Sequence, residues 1–117
     1  MNPKQLQDRT RQFAVDAIRL CRGLPGTLDA RHIGHQLLRS ATSVAANYRA
    51  ACRARSRAEF VAKIGIVIEE SDEALFWLEM LSLAGLAPPP SLEPLRQEAN
   101  ELTAIFVASR RTAMSRR

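Results

Sequence analysis

The stretch QLLRSATSVAANYRAACRARSRAEFVAKIGIVIEESDEALFWLEML, residues 36–81, contains two helical patterns with a very short connection between them. Its SRAE segment is a capping-box pattern. In this pattern the Ser56 hydroxyl accepts a hydrogen bond from the Glu59 amide, and the Glu59 carboxylate accepts one from the backbone amide of Ser56. A helix therefore begins near Arg57, and the preceding helix ends near Arg53 to Arg55. The stretch predicts an antiparallel helical hairpin with a tight turn.

Apolar residues recur at steps of three or four along both helices, so each helix has one face that is suited to a core. On the first helix these residues are Ile33, Leu37, Ala41, Val44, Tyr48 and Ala51, and on the second they are Phe60, Ile64, Val67, Ser71, Ala74, Leu75 and Leu78. A polar stripe, which we call the polar seam, runs beside the first face and consists of Gln36, Ser40, Ser43 and Asn47. Gly85 supplies the left-handed conformation that closes a helix.

The flanking sequence predicts two further helices. Asn2 caps a first helix, with proline at its first position, and Thr27 or Asp29 caps the second. Three consecutive prolines at 88–90 predict an extended connector, after which Ser91 caps a fourth helix. The predicted fold is an all-α, up-down-up-down four-helix bundle over residues 1–112, followed by a basic C-terminal tail at 113–117.

Composition restricts the class of protein. A chain of 117 residues forms one domain, and 46% hydrophobic residues suffice for a core without disulfides. If the first two helices are antiparallel, Cys21 and Cys52 lie about 25 Å apart, so we expect free thiols in a reducing cytoplasm. The N-terminus lacks the apolar run of a signal peptide, and no apolar stretch is long enough to span a bilayer.

Part of this pattern resembles a known family. The residues that carry the resemblance are Gln36, Arg39, Ser40, Ser43 and Asn47, then Arg53, Arg55, Ser56 and Phe60, then Glu69, Glu73 and Trp77. At this spacing the chain resembles the 23S ribosomal-RNA intervening-sequence proteins, which are bacterial four-helix bundles, over roughly residues 6–110. The resemblance implies closed homo-oligomeric rings, commonly pentamers. The family pattern has a glutamate soon after Asn47, where this chain has Ala50-Ala51.

Charge is distributed unevenly along the sequence. The net charge is +3 over residues 1–28, +5 over 29–57, −5 over 58–90 and +2 over 91–117. One interpretation is that Arg39, Arg49 and Arg53 pair with Glu69, Glu70 and Glu73, inside the hairpin or between subunits. The other is a surface for phosphates, formed by Arg49, Arg53, Arg55, Arg57, Arg110 and Arg111 together with Arg116 and Arg117. Few aromatic residues lie among these arginines, so such binding would be directed to the nucleic-acid backbone.

The back of the third helix predicts self-association. Ala62, Ile66, Trp77 and Met80 lie away from its apolar face, interspersed with Glu69, Glu70 and Glu73. Aromatic and methionine side chains are enriched at contact surfaces. We therefore expect Trp77, Glu69 and Glu73 at a subunit boundary beside arginines of the second helix, and smaller particles for Trp77→Ala. The alternative is that Trp77 lies over a neighbouring helix of the same chain.

Catalytic and metal-binding patterns are lacking. His32 and His35 have only Asp29 within reach, which is a weak metal motif, and no Glu-x-x-His pair occurs for a di-iron site. No nucleophile elbow or phosphate loop is present. We expect no catalytic residue, no cofactor and no metal. The predicted function is electrostatic association of an oligomer with RNA or DNA, and the alternative is a protein–protein scaffold ring that binds no nucleic acid.

Overall fold

The computed structural model describes residues 1–116, and these form four α-helices. The helices are α1 (Pro3–Arg22), α2 (Leu28–Cys52), α3 (Arg57–Leu83) and α4 (Pro89–Ser115). Each helix packs against its neighbours in sequence, and α1 also packs against α4. The predicted all-α fold with four helices is confirmed. Within the described residues, no helix is both long enough and apolar enough to cross a membrane.

The N-terminal caps largely follow the sequence. The Asn2 side chain accepts a hydrogen bond from the Gln5 amide at 2.8 Å, and the Gln5 side chain accepts one from the Asn2 amide at 3.0 Å. At α3 the Ser56 hydroxyl accepts a hydrogen bond from the Glu59 amide at 3.1 Å. The return bond from the Glu59 carboxylate is not formed among the described residues, so only half of that capping box is present.

Gly85 ends α3 as predicted. Its φ is +67°, a value that favours glycine. The Gly85 amide donates to the Ser82 carbonyl at 3.1 Å, and the Leu86 amide donates to the Leu81 carbonyl at 3.0 Å. This pair of bonds is the Schellman arrangement, which satisfies carbonyls that the last helical turn leaves free.

Helix α4 begins earlier than predicted. Pro88 occupies the N-cap position, and the helix starts at Pro89, whereas the sequence pattern placed the cap at Ser91. Prolines fit the first helical positions because their missing amide hydrogens would have no partner there. The Ser91 hydroxyl instead donates to the Pro88 carbonyl at 2.8 Å. The helix continues to Ser115, so residues 113–115 of the predicted tail are helical, and Arg117 lies outside the described residues.

The core contains most of the apolar residues predicted for α2 and α3, together with residues of α1 and α4, whereas Phe60 and Leu75 are only partly buried at its edge. Its fully buried large side chains include Phe13, Leu37, Ile64, Leu78, Leu102 and Phe106. Burying one such side chain contributes about 1.5–3 kcal/mol relative to leaving it in water. Three polar residues, Thr10, Ser40 and Ser71, are also buried, and each hydroxyl donates to a backbone carbonyl of its own helix.

Both cysteines are free thiols, as the predicted separation required. The Cys21 sulfur lies 3.5 Å from the Gly34 carbonyl oxygen, at the place where α1 and α2 approach each other. Burial raises the pKa of the Cys21 thiol to about 11. This thiol is therefore protonated at neutral pH, because the charged form is poorly solvated there.

Candidate nucleic-acid interface

Four helix termini bring basic side chains together at one end of the bundle. Met1, before α1, lines a cleft with Arg57 of α3 and with Arg116, which follows α4. Arg11 of α1 lines a second cleft with Arg49 of α2. The first turns of α1 and α3 therefore lie at the same end as the last turns of α2 and α4.

We call this region the basic end and define it as residues 1–11, 48–63 and 109–116. It contains eleven basic and two acidic side chains, a net charge of +9. The other described residues contain five basic and ten acidic side chains, a net charge of −5. The bundle is therefore polarised along its length of 50 Å.

Besides Arg116, six of the arginines that the sequence indicated for nucleic acid lie at the basic end, namely Arg49, Arg53, Arg55, Arg57, Arg110 and Arg111. Arg49, Arg53 and Arg55 line a groove of ≈ 610 Å³ at the junction of α2 and α3. We call it the elbow groove, and its lining consists of Ala46, Arg49, Ala50, Arg53, Arg55, Glu59 and Lys63. Sequence reasoning missed Lys63, because it is the single cation of the acidic segment 58–90.

The other three arginines lie outside this groove. Arg57 lines the neighbouring cleft with Phe60, and its guanidinium donates to the Arg116 carbonyl. Arg110 and Arg111 belong to the last turns of α4. The predicted set is thus divided over two sides of the basic end.

Some cations of the basic end are neutralised locally. Arg9 of α1 makes a two-pronged ion pair with Glu98 of α4, at 2.7 Å and 2.6 Å. The hydrogen bonds to Glu98 raise the pKa of the Arg9 guanidinium. Lys4 and Arg11 both pair with Asp8, Lys4 at 3.0 Å. These contacts connect α1 to α4 and stabilise the first turns of α1.

The remaining eight cations have no ion-pair partner within residues 1–116. They are Arg49, Arg53, Arg55, Arg57, Lys63, Arg110, Arg111 and Arg116. Six of the eight are exposed. For Arg49 and Arg53 the predicted pairing with acidic residues of α3 is therefore not formed in the described chain.

Arg39 does form the predicted pairing, and it does so within one chain. Its guanidinium lies 3.0 Å from Glu70 and 2.6 Å from Glu73 across the α2–α3 contact. The hydrogen bond from Arg39 is the main cause that lowers the pKa of Glu73. Glu73 also accepts a hydrogen bond from the Trp77 indole at 3.2 Å, and the indole meets the His32 ring edge-on, with centroids 6.1 Å apart.

These contacts place Trp77 over α2 of the same chain, which is the alternative that the sequence left open. The indole is half-buried and packs against the core. Its neighbour Phe76, which sequence reasoning did not assign to the back of α3, is the more exposed aromatic, with 48% of its surface accessible. Glu69 is exposed and has no ion-pair partner within residues 1–116.

The polar seam makes its hydrogen bonds along α2. The Ser40 hydroxyl donates to the Gln36 carbonyl at 2.9 Å, and the Asn47 amide group donates to both the carbonyl and the hydroxyl of Ser43 at 2.9 Å. These side chains are satisfied locally. No ligand is therefore needed to complete the hydrogen bonds of Ser40, Ser43 and Asn47.

The outward face of α3 is apolar at several positions. Ile66 and Leu83 expose 41% and 81% of their surface, and Phe76 lies between them. Acidic residues, including Glu69 and Asp72, are interspersed among these side chains. Residues 1–116 contain no cluster of three or more histidine, cysteine or acidic side chains that could hold a metal ion.

Known proteins have similar sequences and the same fold. The sequence pattern of the 23S rRNA-intervening sequence protein family matches residues 4–108. A crystal structure of a protein of unknown function from the S23 ribosomal protein family of Bacteroides thetaiotaomicron superimposes with a TM-score of 0.87 at 29% identity, covering 95% of this chain and 99% of that chain. No functionally curated protein matches the sequence. The chain belongs to the 23S rRNA-intervening sequence protein family, and this family assignment agrees with the four-helix architecture described above.

Proposed function

We propose that this protein is a non-catalytic, cytoplasmic four-helix bundle that self-associates and binds the backbone of RNA or DNA through its basic end. The observation that carries the proposal is the segregation of charge, with a net +9 at one end and −5 over the other described residues. Charge concentrated in this way attracts polyanions and orients them toward one part of the surface. The helix contacts support an up-down-up-down arrangement, because each sequential pair of helices packs together.

The chemistry of the basic end favours phosphates over bases. Its eight cations without ion-pair partners in the described chain are arginine or lysine, whose side chains donate hydrogen bonds to phosphate oxygens. No aromatic side chain lines the elbow groove on which bases could stack. Binding should therefore be steeply dependent on salt and nearly independent of sequence.

Self-association is supported by the outward face of α3. Three large apolar side chains on one helix, Ile66, Phe76 and Leu83, remain accessible to solvent in a single chain. Single exposed apolar side chains also occur on monomers, so these three residues support self-association in combination with the family resemblance. The family resemblance favours a closed ring, commonly of five subunits.

The test is an electrophoretic mobility titration of RNA and DNA at two salt concentrations. Backbone binding gives a slope of several units in a plot of log affinity against log salt. Replacing Arg55 and Arg57 together with alanine should reduce that slope. An unchanged slope would exclude contacts of these two side chains with phosphates.

The second candidate function is a protein–protein scaffold whose ring binds a partner protein and no nucleic acid. The exposed apolar and acidic face of α3 favours it, because that face has the composition of an interface and not of a phosphate site. The absence of any shift at micromolar protein in the same titration would support the scaffold and contradict nucleic-acid association.

A further inference from the structure

The elbow groove brings together, around one concave surface, four of the eight cations of the basic end that have no ion-pair partner in the described chain. The last turn of α2 supplies Arg49, the connection between the helices supplies Arg53 and Arg55, and the first turns of α3 supply Lys63. None of these four cations is in an ion pair within residues 1–116. One carboxylate, Glu59, lines the same groove. The groove therefore has four positive charges against one negative charge.

The floor of the groove permits close approach. Ala46 and Ala50 line the groove together with the cations, and their side chains end at the first carbon. A chain of phosphates can therefore come within hydrogen-bonding distance of the surrounding guanidinium groups without meeting a bulky side chain. Arginine binds phosphate oxygens through two parallel N–H groups. This two-pronged hydrogen bonding fixes the orientation of the phosphate in addition to the electrostatic attraction.

From these features we infer that the elbow groove is the site where consecutive phosphates of one nucleic-acid strand are held, without contact to the bases. This inference rests on the proposed function and makes it more specific, because it assigns the binding to one groove instead of to the total charge of the basic end. The chemistry recognised is a linear chain of phosphates. A nucleic-acid strand and inorganic polyphosphate share this chemistry.

The decisive variant places a negative charge on the floor of the groove. Ala50→Glu introduces a carboxylate among Arg49, Arg53 and Lys63, where it competes with phosphate for the same donors. Ala50→Gln adds a side chain of the same size without the charge. Ala58→Glu makes the same change of charge at an exposed position of the basic end that does not line the groove.

Affinity is measured by fluorescence anisotropy with labelled oligothymidylate at one fixed ionic strength. We expect Ala50→Glu to weaken binding about tenfold or more, the range for loss of a hydrogen bond to a charged group. Ala50→Gln should bind nearly as the parent does, and Ala58→Glu should lose much less than Ala50→Glu. Circular dichroism melts of the three variants verify that each is folded at the temperature of the titration.

The outcomes separate the two proposals. Equal losses for Ala50→Glu and Ala58→Glu would overturn the groove assignment and leave electrostatic association intact. A parent protein that does not bind the oligonucleotide at low salt would overturn the proposed function itself, and the groove assignment with it.

Competition identifies the chemistry that is recognised. Inorganic polyphosphate and oligoadenylate should both displace labelled oligothymidylate at similar concentrations of phosphate. Failure of polyphosphate to compete would show that a chain of phosphates is not sufficient for binding and would overturn the inference. Polyphosphate binding far more tightly than either oligonucleotide would assign the groove to free polyphosphate, and would overturn the nucleic-acid assignment.

Discussion

Two hydroxyl groups meet inside the bundle between α3 and α4. The Ser71 and Thr103 oxygens lie 2.8 Å apart, and each hydroxyl also contacts a carbonyl of its own helix, that of Ile68 at 3.0 Å and that of Ala99 at 2.7 Å. The sequence placed Ser71 on the buried face of α3. It gave no sign of Thr103 as a partner, because that pairing depends on how α3 and α4 are offset along their axes.

A double-mutant cycle should detect this bond. Ser71→Ala and Thr103→Val should each lower the free energy of unfolding by about 1 kcal/mol, the net value of one hydrogen bond. The double variant should be more stable than the sum of the two losses predicts, because the bond is already absent after the first change. Urea denaturation measures all four proteins. Strictly additive losses would contradict a direct contact between the two hydroxyls.

The contact between Arg9 and Glu98, like that between Ser71 and Thr103, could not be predicted from the sequence. They are 89 residues apart in the chain, yet their side chains form a two-pronged ion pair. Neither residue stands out by its local pattern. Only the packing of α1 against α4 brings them together.

At the scale of one element, Gly85 determines where α3 stops. The sequence indicated this position correctly, because a helix end of this type is encoded by a few neighbouring residues. The start of α4 was predicted less well, since serine is a common N-cap residue and proline also fits the first helical positions. The two signals lie within three residues of each other, and the proline signal is the one that the structure follows.

Replacing Gly85 with alanine should lower the free energy of unfolding by about 1 kcal/mol, the usual penalty for an L-residue with positive φ. Gly26→Ala is the matched control, because an added Cβ there meets no atom within 4 Å and the backbone φ is not positive. That control should leave stability unchanged or raise it slightly. Thermal melts compare the two variants with the parent. Equal effects of both substitutions would argue against the left-handed conformation at Gly85.

The contact of α2 with α3 should contribute to the pH dependence of stability. Arg39 lowers the pKa of Glu73, so the folded state favours the charged carboxylate. The stabilisation is therefore fully present above the ordinary value of 4.5 and is lost as pH falls through the lowered pKa of the folded state. Glu73→Gln should reduce stability at neutral pH by less than about 1 kcal/mol, because the carboxylate is 35% exposed and solvent screens the pair.

The measurement is urea denaturation of the parent and of Glu73→Gln at neutral pH and at about pH 3. The difference between the two proteins should shrink at the lower pH, where Glu73 is increasingly protonated. A difference that stays constant would show that the variant acts through packing around Trp77 and not through charge.

At the scale of the whole molecule, substitutions of Phe76 and Trp77 distinguish self-association from packing within one chain. Trp77 packs over α2, so Trp77→Ala should lower the melting temperature. Phe76 is more exposed, so Phe76→Ser should reduce the particle mass in multi-angle light scattering with a smaller change in melting temperature. Met114→Ser, at an exposed position near the end of α4, is the control and should keep the parent mass. A parent protein with the mass of one chain would contradict self-association.

The sequence by itself determined the four helices, most of their ends and the faces that they bury. These features depend on contiguous residues, on a period of three to four and on caps within a few positions, and all of these can be read along the chain. The tertiary structure decided most contacts between side chains, although the pairing of Arg39 with Glu70 and Glu73 was among the predictions. Read segment by segment, the sequence shows a basic second helix beside an acidic third helix. Folding brings eleven cations, drawn from all four helices and their connections, to one end, because the axial offsets between neighbouring helices decide which residues lie at the same height. Those offsets give Arg39 its carboxylate partners, and they leave Arg49, Arg53, Arg55 and Lys63 around a groove without an ion-pair partner in residues 1–116.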